Sequence, residues 1–173
     1  GKRSSTPESP PAMNLEPTVS SLFDLTGKTA LITGAGGWLG SAMSRALAEA
    51  GANVIVTSRE KDRARSSAAS LPTHNQNSHF GVALNHLDET SIKQGFSDAL
   101  ACTGQIDILV NNGHEANGSD LYTVTPEEFN RALENATGYF VLSRLLREHV
   151  VSRESTGSII LIDEGTNETV AAG

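Results

Sequence analysis

KTALITGAGGWLGS, residues 28–41, decides how the rest of the chain is read. Thr29, Ala30, Leu31 and Ile32 form a short apolar, partly β-branched run closed by Thr33 and Gly34, the pattern of a buried parallel strand. Gly34, Gly36, Gly37 and Gly40 then crowd a tight turn. From Leu39 the apolar positions change period: Leu39, Ala42, Met43, Ala46, Leu47 and Ala50 share one face of a helix that Gly51 ends. Strand, glycine turn and helix in that order build an anion site, because the unpaired N–H groups of the first helical turn and the helix dipole point into the turn. A dinucleotide pyrophosphate is the usual occupant. Glycine clusters also serve ordinary strand-to-helix turns, so the flanking segments decide between the two readings.

Downstream, the apolar run at residues 53–57 is a second strand whose carboxyl end, Ser58 and Arg59, comes beside the glycine turn in a right-handed βαβ unit. That end meets the adenosine ribose. An acidic residue there would bond the 2′-hydroxyl and repel a 2′-phosphate, whereas the planar donor fork of Arg59 suits a phosphate. NADP(H) is therefore expected in preference to NAD(H), which remains the alternative cofactor. The competing reading makes Arg59 a solvated residue opening the charged helix at residues 60–70.

Residues 80–84 read as a third strand and residues 89–101 as a helix with Ile92, Phe96 and Leu100 on one face. Between them Asn85, His86, Leu87 and Asp88 form a loop that lies over the adenine in this architecture or makes a plain turn. Residues 105–110 are a fourth strand, apolar apart from Asp107, as a strand covered on both faces should be. Thr125, Pro126 and Glu128 mark a helix start, with Thr as N-cap, Pro at the first helical position and Glu closing a capping box. That helix runs to about residue 149, and residues 157–162 form a fifth strand. The alternation predicts an α/β doubly wound parallel sheet, a Rossmann fold, truncated after its fifth strand. Residues 1–21, rich in Pro, Ser, Thr and Glu, are expected to be a disordered tail, and residues 22–173 an incomplete nucleotide-binding domain.

The net charge of −7 argues against a nucleic-acid partner, because phosphate binding needs clustered Lys and Arg. No apolar run approaches the roughly 20 residues of a membrane span, and no signal-peptide pattern opens the chain. The single cysteine, Cys102, makes no internal disulfide; a cytoplasmic setting and a place in the core are expected for it.

From about Leu22 onward these segments resemble the short-chain dehydrogenase/reductase family. Thr33, Gly34, Trp38 and Gly40 resemble its cofactor motif Thr-Gly-x-x-x-Gly-x-Gly. Val110, Asn111, Asn112 and Gly113 resemble its Asn-Asn-Ala-Gly segment. Asn135, Ala136, Thr137 and Gly138 resemble the segment that bears its catalytic asparagine, and Gly157, Ser158, Ile159 and Ile160 the strand leading to its catalytic serine. Residues 22–28 are also similar to the opening of gluconate 5-dehydrogenase-like members.

The resemblance implies an NADP(H)-dependent oxidoreductase interconverting a small-molecule alcohol and a carbonyl, pairing as a homodimer or homotetramer when complete. A tyrosine would pass the proton, a lysine would lower that tyrosine's pKa and hold the ribose, a serine would steady the substrate oxygen, and the asparagine would hold a water in the relay. Asn135 matches the asparagine; its other reading is a structural amide bonded to backbone. Gly34, Gly36, Trp38, Leu39, Gly40, Ser58, Arg59, Asn85, His86, Asn112 and Gly113 are the expected cofactor contacts, and no metal ligand set is present.

Three positions depart from the pattern. Trp38 replaces the middle glycine, where a side chain is expected to crowd the pyrophosphate. His114 stands where glycine is usual, and Glu164, preceded by Asp163, occupies the serine position. A carboxylate would repel a developing alkoxide, which leaves Thr166 as the nearest hydroxyl. Neither Tyr122 nor Tyr139 has lysine four residues later, so the 173 residues alone are expected to be inactive. The alternative is a non-catalytic nucleotide-binding or interaction domain.

Overall fold

A computed structural model of the chain describes residues 16–115 and 122–162. Five strands, β1 (Thr29–Ile32), β2 (Asn53–Ser58), β3 (His79–Ala83), β4 (Ile108–Asn111) and β5 (Ser158–Leu161), form one sheet in the order β3-β2-β1-β4-β5, every pair parallel. Helix α1 (Val19–Leu22) precedes the first strand, and helices α2 (Trp38–Glu49), α3 (Lys61–Ala69), α4 (Glu89–Thr103) and α5 (Pro126–Ser152) connect successive strands. The doubly wound parallel sheet is as expected from the sequence.

Alternation along the strands sorts the core into two layers. Leu31, Ile55 and Leu109 face a cluster built with Ile92 and Phe96 of α4 and Leu142 and Leu146 of α5. Their chain neighbours Ile32, Val54, Val56 and Val110 face the other way, against Ala48 of α2 and Ala68 of α3. Strand order reverses between β1 and β4, which opens a crevice at their carboxyl ends.

The helix boundaries obey their caps. Thr125 Oγ1 accepts from Glu128 N at 3.2 Å and Glu128 Oε2 accepts from Thr125 N at 2.9 Å, the expected capping box. Gly104 ends α4 at φ +74°, where L side chains are strained.

Some expectations shift. Val19–Leu22, across the boundary at residue 21 between the expected tail and the domain, makes one helical turn capped by Thr18, burying nothing. Cys102 is exposed rather than in the core, because α4 turns Ile92, Gly95, Phe96 and Ala99 inward and leaves Cys102 off that face. The exception in the fourth strand is explained: Asp107 precedes β4, accepts from Thr29 N at 2.9 Å and pairs with Arg153 at 3.2 Å. At the edge of the sheet, Ile159, Ile160 and Leu161 of β5 are exposed, as expected for a strand without an outer neighbour among the described residues.

Candidate functional site

The crevice at the switch point holds a cavity of about 360 Å³. Its floor is the glycine turn. Gly34 has φ +63°, and a Cβ on it would lie 2.6 Å from Gly113 Cα, so only glycine fits where β1 and β4 converge. A Cβ on Gly40 would collide with the carbonyl oxygen of Gly34 and come within 2.7 Å of Asn112 Nδ2. That contact presses the first turn of α2 onto the end of β1. Gly37 caps α2 without a side-chain hydrogen bond, and the first turn carries no acidic residue. The opening N–H groups of α2 therefore face the cavity with the positive end of the helix dipole uncompensated.

Thr33 and Asn112 hold the two strands at this point. The Thr33 hydroxyl accepts from Asn112 N at 3.0 Å and Gly113 N at 2.8 Å while donating to Val110 O at 3.3 Å. Asn112 Nδ2 donates to Thr33 O and Gly34 O at 3.2 and 3.1 Å. Its Oδ1 is buried and has no hydrogen-bond partner among the described residues. A glycine cradle, an uncapped helix start and an orphaned acceptor fit a phosphate-bearing dinucleotide with ribose hydroxyls to donate.

The predicted contacts Gly34, Gly36, Trp38, Leu39, Gly40, Ser58, Arg59, Asn85, His86, Asn112 and Gly113 all line this one cavity. Trp38 lines the cavity at the position where the motif has glycine. It is the first residue of α2 and its indole stands 89% exposed at the rim, because the close approach falls on Gly40 instead. His114 also lines the cavity, with its side chain exposed. Asn85 lies there too, but its Oδ1 accepts from Leu87 N at 3.2 Å, so the amide turns its own loop as well as facing the cavity.

Asn135 is 4% exposed on α5. Its Oδ1 accepts from Glu115 N at 3.0 Å and from His86 Nε2 at 2.9 Å, and its Nδ2 donates to Glu115 O at 3.2 Å and Ala132 O at 3.1 Å. Those four bonds use the whole capacity of the side-chain amide, so it has no side-chain position left for the expected water. In this structure Asn135 ties α5 to the segment after β4. Glu115 in turn bonds Arg131 on α5, with Nε at 2.8 Å. Glu164, Asp163 and Thr166 lie outside the described residues.

Sequence reasoning missed Arg63. Residue 63 lies on α3, and its guanidinium rests over Gly36. Its signal was present, an arginine four residues after Arg59 at the start of a helix.

Comparison with known proteins agrees with the architecture. The family model for short chain dehydrogenase matches residues 28–167. Elsinochrome reductase 1 of Elsinoe fawcettii is 34% identical over 149 residues, which cover 83% of this chain and 53% of that protein. The 3-oxoacyl-acyl-carrier-protein reductase FabG of Escherichia coli is 33% identical over 141 residues, covering 81% and 56%. Among solved structures, a gluconate 5-dehydrogenase from Burkholderia cenocepacia in complex with NADP and tartrate superposes with a TM-score of 0.74 at 28% identity, covering 86% of this chain and 60% of that one. A 3-ketoacyl-(acyl-carrier-protein) reductase from Brucella melitensis complexed with NADH gives 0.70 at 31%, covering 80% and 57%. The chain thus spans about half the length of these curated relatives. With the glycine turn, the Asn112 clamp and Asn135 all falling within the matched residues, the chain belongs to the short-chain dehydrogenase family of oxidoreductases.

Proposed function

We propose that these residues form the nucleotide-binding portion of an NADP(H)-dependent oxidoreductase that interconverts an alcohol and a carbonyl. The observation that carries this reading is the meeting, in one cavity, of the uncapped start of α2 and the Arg59 guanidinium at the end of β2. The first favours the pyrophosphate; the second favours a phosphate on the adenosine ribose over a free 2′-hydroxyl. A bound nicotinamide cofactor supplies or accepts the hydride. The chain's own part is to hold the phosphates against the Gly34 to Gly40 turn and to present Asn112 Oδ1 to a donor. Asn135 keeps the segment after β4 against α5, and so fixes the wall of the cavity at Gly113.

No Tyr-x-x-x-Lys pair occurs in these 173 residues, so this portion alone is expected to bind cofactor without turnover. The test is NADPH oxidation by the whole protein over ketones, sugar acids and 3-oxoacyl thioesters. Hydride transfer to one of these classes is the expected result; none, with cofactor binding intact, would favour the second reading. In that reading, motivated by Glu164 at the serine position, the domain binds nucleotide without catalysing a reaction.

A further inference from the structure

The guanidinium of Arg63 lies over Gly36 of the glycine turn. Its Nε, Nη2 and Cζ are 3.1, 3.4 and 3.5 Å from the place a Cβ would take on Gly36, so the guanidinium packs close over the bare backbone of Gly36. Arg63 projects from α3, which follows β2, and it lines the cavity together with Ser58 and Arg59. Among the described residues neither arginine is paired with a carboxylate; Asp62 reaches Arg65 instead, at 3.9 Å. In a chain of net charge −7, two arginines thus face one cavity without counter-ions among those residues.

Their position says which anion they suit. The start of α2 serves the pyrophosphate, whereas Arg63 bridges from that turn toward the carboxyl end of β2, the ribose side of a βαβ nucleotide site. We propose that Arg63 is a second specificity-determining residue, which closes with Arg59 on the 2′-phosphate of NADP(H) from its place over Gly36. This rests on the NADP(H) reading above. Two planar forks give a phosphate's oxygens charge-assisted bonds from both sides, and a free 2′-hydroxyl gains little from the second fork. Arg63 is exposed, so truncating it leaves the core untouched.

The experiment is calorimetric titration of the full chain with NADPH, NADH, adenosine 2′,5′-bisphosphate and AMP. Arg63→Ala is expected to weaken NADPH and the bisphosphate roughly tenfold or more, as for a lost charged hydrogen bond, and to leave NADH and AMP within about twofold. Equal losses for NADPH and NADH would place Arg63 on the pyrophosphate and overturn the proposal, as would no loss at all. If the native chain prefers NADPH and Arg63→Ala does not change this, only the Arg63 assignment falls. If the native chain binds neither dinucleotide, the NADP(H) reading falls with it.

Discussion

His86 Nε2 lies 2.9 Å from Oδ1 of Asn135, joining the loop after β3 to the long helix α5. Because Asn135 Oδ1 can only accept, this nitrogen of His86 carries the proton. Around the bond, Gly138 lets the His86 carbonyl approach α5 so closely that a Cβ would collide with it. The Tyr139 ring stacks beside the imidazole at 6.4 Å between centroids, and its hydroxyl donates to Gly113 O at 2.8 Å. One face of α5 thus grips both the His86 loop and the segment after β4. His86→Ala should cost about 1–2 kcal/mol by removing one donor from a buried acceptor, read as a lower urea midpoint with an unchanged slope. An unchanged midpoint would mean that the bond contributes nothing net.

Protonation of this histidine works against the fold. Burial holds the pKa of His86 below the ordinary 6.5, and the charges of His114 and Arg59 push the same way, while the Asn135 bond and the Glu115 charge pull it back up. His149 is lowered too, by burial and by the Arg153 charge, against a smaller pull from Asp107. With folded values below unfolded ones, the unfolded chain binds more protons in the interval between them. Both groups therefore contribute stability above about pH 6.5 that is lost as pH falls through the lowered folded values. Urea unfolding from pH 7.5 to 5 should show the midpoint falling, less steeply in His86→Phe. A midpoint that rises on acidification would contradict these assignments.

Asp107 is a further buried anchor. Its carboxylate takes the Thr29 N–H at 2.9 Å, the Gln105 amide at 3.0 Å and the Arg153 guanidinium at 3.2 Å, tying the start of β1 to the end of α5. Asp107→Ala leaves a buried N–H and a cation unpaired, and should cost about 2–3 kcal/mol. Thermal unfolding checks it; a melting temperature equal to that of the native chain would show that water replaces these bonds at no cost.

At the cofactor site, Arg59→Ala should weaken NADPH by about 1.5–3 kcal/mol and leave NADH nearly unchanged, as measured by equilibrium binding at fixed ionic strength. Equal effects on the two dinucleotides would remove Arg59 from the 2′-phosphate.

What was legible in the sequence was local. Apolar alternation marked the strands, and the Thr125 to Glu128 box marked the start of α5. Gly34 and Gly40 marked the turn because backbone packing admits no side chain there. What escaped depends on partners far apart in the chain. His86 and Asn135 are 49 residues apart, and nothing in either segment announces their bond. Arg63 over Gly36 is likewise set by how α3 docks on the sheet. Trp38 looked obstructive because the motif was read as a string; in space its side chain leaves the turn. Cys102 was assigned to the core by its apolar neighbourhood, and the register of α4 turned it outward.

The cavity at the switch point is expected to bind NADP(H). Trp38 is the only tryptophan in the chain and stands at the cavity rim, so its emission reports directly on occupancy. Titrating the chain with NADPH and with NADH while exciting the indole should give saturable quenching by energy transfer to the reduced nicotinamide. NADPH should reach half-saturation at a concentration roughly tenfold or more below NADH, as one charged phosphate contact warrants. Absence of saturable quenching by either dinucleotide, or equal half-saturation by both, would contradict the account.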